Sequence, residues 1–133
     1  MTFKNLWCDI PDISNIKTPS SMLNEQGEAL AEMTGGKLRG KIKKSQNNNL
    51  FTYELCVVVP SLANYSQKIV KVIHDLSIYP ANLYHEQSGK EYTANNDAQF
   101  MAHLGTILSS DETRLIIAGL NAQVRLAEEE EKS

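Results

Sequence analysis

Cysteine is scarce: Cys8 and Cys56 are the only two in 133 residues, too few for the disulfide framework of a small secreted domain. Long apolar runs are missing as well. None approaches the roughly 20 residues that span a bilayer. The opening Met1-Thr2-Phe3-Lys4-Asn5-Leu6-Trp7 lacks the apolar centre of a signal peptide. These absences set the expectation of a cytoplasmic protein with reduced thiols and no membrane partner. Charge of one sign does not dominate either: a formal net charge of −3 gives no global attraction to nucleic acid or to an acidic surface. No segment repeats, and none reads as an interdomain linker. The sequence contains no combination of residues that names a reaction.

What is present is ordinary for a globular domain, 41% hydrophobic and 22% charged residues. A single domain over residues 1–133 is expected, large enough to remove about two-thirds of the unfolded chain's surface from water. Residues 1–17 read as an irregular lead-in, with Ile10, Ile13 and Ile16 at a spacing of three beside Pro11 and ahead of Pro19. Thr18 followed by Pro19 marks a helix start. Met22, Leu23, Leu30 and Met33 give that helix its apolar stripe, and Gly35-Gly36 stops it. Gly27 within the helix costs up to about 1 kcal/mol against Ala, a cost that close approach of a strand explains.

Alternation over Lys37–Lys44 predicts a strand, with Leu38, Gly40 and Ile42 on one face and Lys37, Arg39, Lys41 and Lys43 on the other. A turn at Gln46-Asn47-Asn48-Asn49 leads to a return strand, Leu50–Val59, ended by Pro60. Cys56 lies in its apolar run as a small buried hydrophobe; Cys8, after Trp7, is expected to be more exposed. Residues 61–76 fit a helical stripe or a strand, and the density of β-branched residues favours a strand from about Tyr65 to Asp75. A fourth strand, Tyr79–Glu86, and a loop, Gln87–Thr93, follow. Asn96 with Gln99 reads as a capping box for a helix carrying Phe100, Leu104 and Ile107; Ser109 with Glu112 opens a last helix carrying Leu115, Ile116, Leu120 and Val124. Residues 127–133 read as an acidic tail that frays. The expected fold class is α+β: an N-terminal helix, a four-stranded antiparallel meander, and two C-terminal helices packed on one sheet face. Leu30, Leu38, Ile42, Tyr53, Leu55, Val57, Val70, Val72, Leu104, Leu115 and Leu120 are the expected core.

Chemistry is harder to find. Gly35-Gly36-Lys37-Leu38-Arg39-Gly40 has glycines and cations, but it runs from helix to strand, whereas a phosphate-cradling loop runs from strand to helix. His74, His85 and His103 make no ligand pair at helical spacing; His74 and His85 come together only if the third and fourth strands pair around Ser77-Ile78, and then only Glu86 is near as a third ligand. No catalytic residue, metal or cofactor is assigned.

Three functions remain as expectations. The first is a non-enzymatic protein-interaction or accessory module of a bacterial or viral system, binding a protein partner or a second copy as a homodimer. Its surface would be the Tyr79–Tyr92 region, with Tyr79, Leu83, Tyr84 and Tyr92, on a fourth strand expected to be an unguarded sheet edge. The second is a nucleic-acid-binding module, with Lys37, Arg39, Lys41, Lys43 and Lys44 meeting phosphates. Lysines that guard an exposed edge strand explain the same pattern. The third is an enzyme or small-ligand binder in a cleft between sheet and helices.

Overall fold

The computed structural model of the chain describes residue 2, residues 4–7 and residues 16–132. Cys8, Ile10, Ile13 and most of the expected lead-in lie outside the described residues.

The first helix, α1 (Pro19–Met33), forms where its cap predicts: Thr18 Oγ1 accepts the Ser21 backbone N–H at 3.3 Å, with proline at the first helical position. It ends at Gly35 and Gly36, at φ of 61° and 80°, and the Gly36 N–H donates to Ala31 O at 2.8 Å. Five strands follow in one antiparallel sheet, ordered as in the chain: β1 (Arg39–Asn47), β2 (Leu50–Val59), β3 (Tyr65–His74), β4 (Ala81–His85) and β5 (Glu91–Ala94). The first turn is tighter than expected. Asn47 pairs with Leu50, so Gln46 and Asn47 belong to β1, and Asn48 turns the chain at φ 55°. The β-branched segment after Pro60 is the expected strand. A bulge opposite Leu55 and Cys56 turns both Ile69 and Val70 into the core, 1% and 0% exposed.

The meander has one strand more than the alternation predicts. Glu91–Ala94, expected as part of a loop and its exit, pairs with β4 in the register Leu83↔Tyr92. Four residues are too short to show a period. The consequence is that β4 is interior to the sheet and β5 is the edge, so the Tyr79–Glu86 strand offers no free edge for a partner.

Asn96 caps α2 (Asp97–Leu108) by accepting the Gln99 N–H at 2.9 Å, and Gln99 Oε1 accepts the Asn95 N–H at 2.7 Å. The start of α3 (Asp111–Lys132) lies one residue later than expected. Ser110 Oγ accepts the Thr113 N–H at 3.3 Å, while Ser109 Oγ donates to Gly105 O at 2.6 Å and closes α2. Two adjacent serines carry the same capping chemistry, and only the path of the chain separates them. Residues 127–132, expected to fray, continue α3, and Glu128 Oε1 lies 3.1 Å from Lys37 Nζ. Both side chains are about half exposed, so this pair contributes about 0–1 kcal/mol.

One apolar cluster joins the three helices to one face of the sheet. Met22 and Leu23 of α1, Leu55, Val57, Val72 and Leu83 of the sheet, Phe100 and Leu104 of α2, and Leu120 and Val124 of α3 are its centre. Ten of the eleven expected core residues are buried or packed against this cluster; Leu115 is 73% exposed. Cys56 is buried, on the sheet's other side. The expected reason for Gly27 is observed. The backbone of α1 lies on that of β1, so that a Cβ on Gly27 would stand 3.1 Å from Gly40 Cα, and a Cβ on Gly40 would overlap Gly27 Cα.

Candidate functional site

The helices cover the sheet unevenly. Whereas α1 lies against β1 and α2 against β4 and β5, α3 starts at the end of α2 and packs on the turn Pro60–Leu62. At about 1.5 Å per residue its 22 residues run roughly 33 Å, enough to reach from β4 to Lys37. The middle of the sheet between α1 and α3 is left under a groove of about 880 Å³. Leu55, Val57 and Ile69 form its floor. Gly27, Leu30 and Met33 of α1 form one wall, and Leu115 and Ala118 of α3 the other. Met33 and Leu115 stand at the mouth, 83% and 73% exposed. Gln26, Asp111, Thr113, Arg114 and Asn121 add polar groups to the lining. A smaller hollow of about 270 Å³ between α1 and α2 shares Gln26 and Leu108 with the groove. The groove offers apolar contact over its floor and a few polar partners at its rim, an arrangement suited to holding a molecule.

His85 sits beside this groove. It is 3% exposed, its Nε2 3.1 Å from Thr113 Oγ1 and its Nδ1 2.7 Å from Ser88 Oγ. Thr113 Oγ1 also donates to Ile107 O at 2.8 Å. These contacts assign Nε2 as the donor to Thr113 and Nδ1 as the acceptor from Ser88. The serine and the histidine are three residues apart in one tight turn, and the other ring nitrogen is taken by Thr113. The set ties the β4–β5 turn to the start of α3. His74 is elsewhere: β3 and β4 pair with Val70 opposite His85, whereas His74 lies opposite Phe51 and stacks on Phe51 and Tyr53 at centroid distances of 5.7 and 5.4 Å. Among the described residues no group of three His, Cys, Asp or Glu is placed to hold a metal ion.

The four residues expected to form an interaction surface do not form one: Tyr79, Leu83 and Tyr92 belong to or pack on the core, and Tyr84 is on the other face. Leu83 is fully buried in the core and is unavailable to a partner. The Tyr79 hydroxyl donates to Lys17 O at 2.7 Å; burial, then the Asp97 carboxylate, push its pKa up to about 12. Tyr92 packs on His103 of α2, with centroids 5.0 Å apart, and Tyr84 lies on the opposite sheet face under Lys71, whose Nζ is 5.6 Å from the ring centroid. The basic strand divides too. Arg39, Lys41 and Lys43 face away from the helices, opposite Val58, Cys56 and Glu54; Lys44, opposite Tyr53, has the other parity, and Lys37 precedes β1.

No protein-family model, curated protein or solved structure matches this chain. The site therefore rests on its geometry. Leu115, Met33 and Arg114 were not legible as site residues. Leu115 shares the spacing of a core position, and nothing in the sequence shows that α3 crosses the end of the sheet.

The buried histidine makes stability depend on pH. Burial is the largest influence on His85 and lowers its pKa below the ordinary 6.5; Glu112 raises it by less, and Lys90 adds to the depression. The unfolded chain takes up a proton near 6.5, the folded chain only at lower pH. The contribution is fully present above the unfolded value and is lost as pH falls through the folded one. Urea midpoints measured at about pH 7.5 and about pH 5.5 should fall less in His85→Gln than in wild type. An equal fall in both would show that His85 does not titrate with unfolding.

Proposed function

We propose that this chain is a non-catalytic binding module whose ligand is a small, mainly apolar molecule held in the groove between α1 and α3. The observation that carries the reading is the groove itself: about 880 Å³, floored by Leu55, Val57 and Ile69, within the range of roughly 300–1,000 Å³ usual for small-molecule sites. Of the three functions expected from sequence, the groove supports the small-ligand binder. The protein-interaction reading loses its proposed surface, because Leu83 is core and β4 is not an edge. A reaction would need an available titratable group near the floor; His85 beside it has both ring nitrogens engaged, by Thr113 and Ser88, and the charged side chains lining the groove, Asp111 and Arg114, are exposed at the start of α3. No described helix is long and apolar enough to cross a membrane.

Ala118 lines the groove from an exposed position on α3, so a larger side chain there fills the site without entering the core. Titration with Nile red, a neutral apolar fluorophore, should saturate at one equivalent in wild type. Ala118→Trp should weaken binding at least about tenfold, some 1.4 kcal/mol, with an unchanged melting temperature. Unsaturable binding by wild type, or equal binding by the folded variant, overturns the assignment.

A further inference from the structure

The sheet face turned away from the helices carries its own pattern of charge. Alternation places Arg39, Lys41 and Lys43 of β1 on it, and the bulge at Ile69 brings both Lys68 and Lys71 of β3 to the same face, opposite Cys56 and Glu54. Among the described residues three carboxylates share the face: Glu54, Glu86 and Glu91. Glu54 and Glu86 are both engaged on Lys68, at 3.0 and 3.6 Å. Glu91 lies on the far edge strand. Arg39, Lys41, Lys43 and Lys71 make no ion pair with the described carboxylates. A net positive face thus exists on a chain whose formal net charge is −3. Protection of an edge strand accounts for lysines on β1. It does not account for Lys71, because β3 is the central strand of the sheet.

We propose that this face binds the phosphate backbone of a single-stranded nucleic acid. Residues two apart on a strand are about 6.8 Å apart, so Arg39, Lys41 and Lys43 form a regular cation row able to follow a chain of phosphates. Tyr84 is half-buried on the same face and Lys71 lies over its ring; in the complex Lys71 turns to a phosphate and a base takes its place on the ring. Four strand spacings of about 4.8 Å make the sheet about 19 Å across, too broad to enter a major groove of about 12 Å, so a duplex would meet this face through its phosphates alone, whereas a single strand also offers unpaired bases to Tyr84. This site is independent of the α1–α3 groove, which lies on the sheet's other face.

The test is fluorescence anisotropy with a labelled single-stranded DNA of mixed sequence, over a range of salt. Four phosphate contacts predict a log–log salt slope of about −2.8, which is a loss of about 50-fold in affinity between roughly 50 and 200 mM salt. The triple variant Arg39→Ala, Lys41→Ala, Lys43→Ala should reduce the slope to about −0.7. Lys44→Ala, on the other side of the same strand, should leave it unchanged. Tyr84→Ala should weaken binding about tenfold at constant slope. The proposal is overturned if wild type does not bind at low salt, if Lys44→Ala acts like the triple variant, or if duplex DNA of the same sequence binds more tightly. Equal retention on phosphatidylserine vesicles, with no effect of Tyr84→Ala on either ligand, overturns it in favour of an anionic surface.

Discussion

Gly40→Ala should destabilise the fold by about 3 kcal/mol, at the upper end of the usual cost of overpacking, and lower the melting temperature by roughly 10 °C in a domain of this size. The methyl group would overlap Gly27 Cα. Its obstacle is helix backbone, which has no rotamer to give way. Gly27→Ala meets the same contact from the other side, with Gly40 Cα at 3.1 Å and its carbonyl carbon and oxygen at 3.3 Å. Its cost is smaller, because alanine also recovers up to about 1 kcal/mol of helix propensity. The same replacement at Gly105 or Gly119 should have the opposite sign. Beyond its own turn of helix, neither has a described atom within 4 Å of the added carbon, and each sits inside a helix, so alanine should stabilise by about 0.5–1 kcal/mol. Chemical denaturation of the four variants checks the set. A neutral Gly40→Ala would mean that α1 does not rest on β1.

Leu104→Ala should cost about 2–5 kcal/mol, because Leu104 is 3% exposed inside the single core cluster. Leu115→Ala should cost no more than about 0.5 kcal/mol, the usual range for surface positions, since Leu115 is 73% exposed. From spacing alone the two leucines look alike, and their difference tests the orientation of α3. Comparable losses at both positions would place Leu115 in the core and remove one wall of the groove.

Elements with local signals were legible. Thr18-Pro19 and Gly35-Gly36 bound α1 through caps that residue type alone supplies, and Asn96 with Gln99 does the same for α2. The β-branched run Ile69–Ile73 outweighed a competing helical stripe because side-chain crowding disfavours such residues in a helix. What depends on tertiary structure was hidden. Glu91–Ala94 is a strand only because β4 is beside it. Along α3, Leu115, Ile116, Ile117, Ala118, Leu120, Ala122, Val124 and Leu126 put apolar residues on more than one face. The pattern therefore does not say which face is buried, and that ambiguity falls on the wall of the groove. The basic strand was visible as a row, but its continuation onto Lys71 needed the register of β2 with β3.

The strand order β1-β2-β3-β4-β5 means that every pairing in the sheet joins chain neighbours. Each strand is laid down by closing a short loop onto the one before it, so assembly of the sheet incurs little loop-closure entropy at any step. The long-range closures lie elsewhere: Lys37 meets Glu128 of α3 across 91 positions, and Tyr79, ahead of β4, meets Lys17, ahead of α1, across 62. Both contacts lie outside the sheet ladder and at its periphery. The order of events that follows is local before global, with hairpins forming on microsecond timescales and the return of α3 to the neighbourhood of α1 shaping the groove last. On this topology the groove is closed by the contact that spans the longest stretch of chain, and its formation is expected to come last.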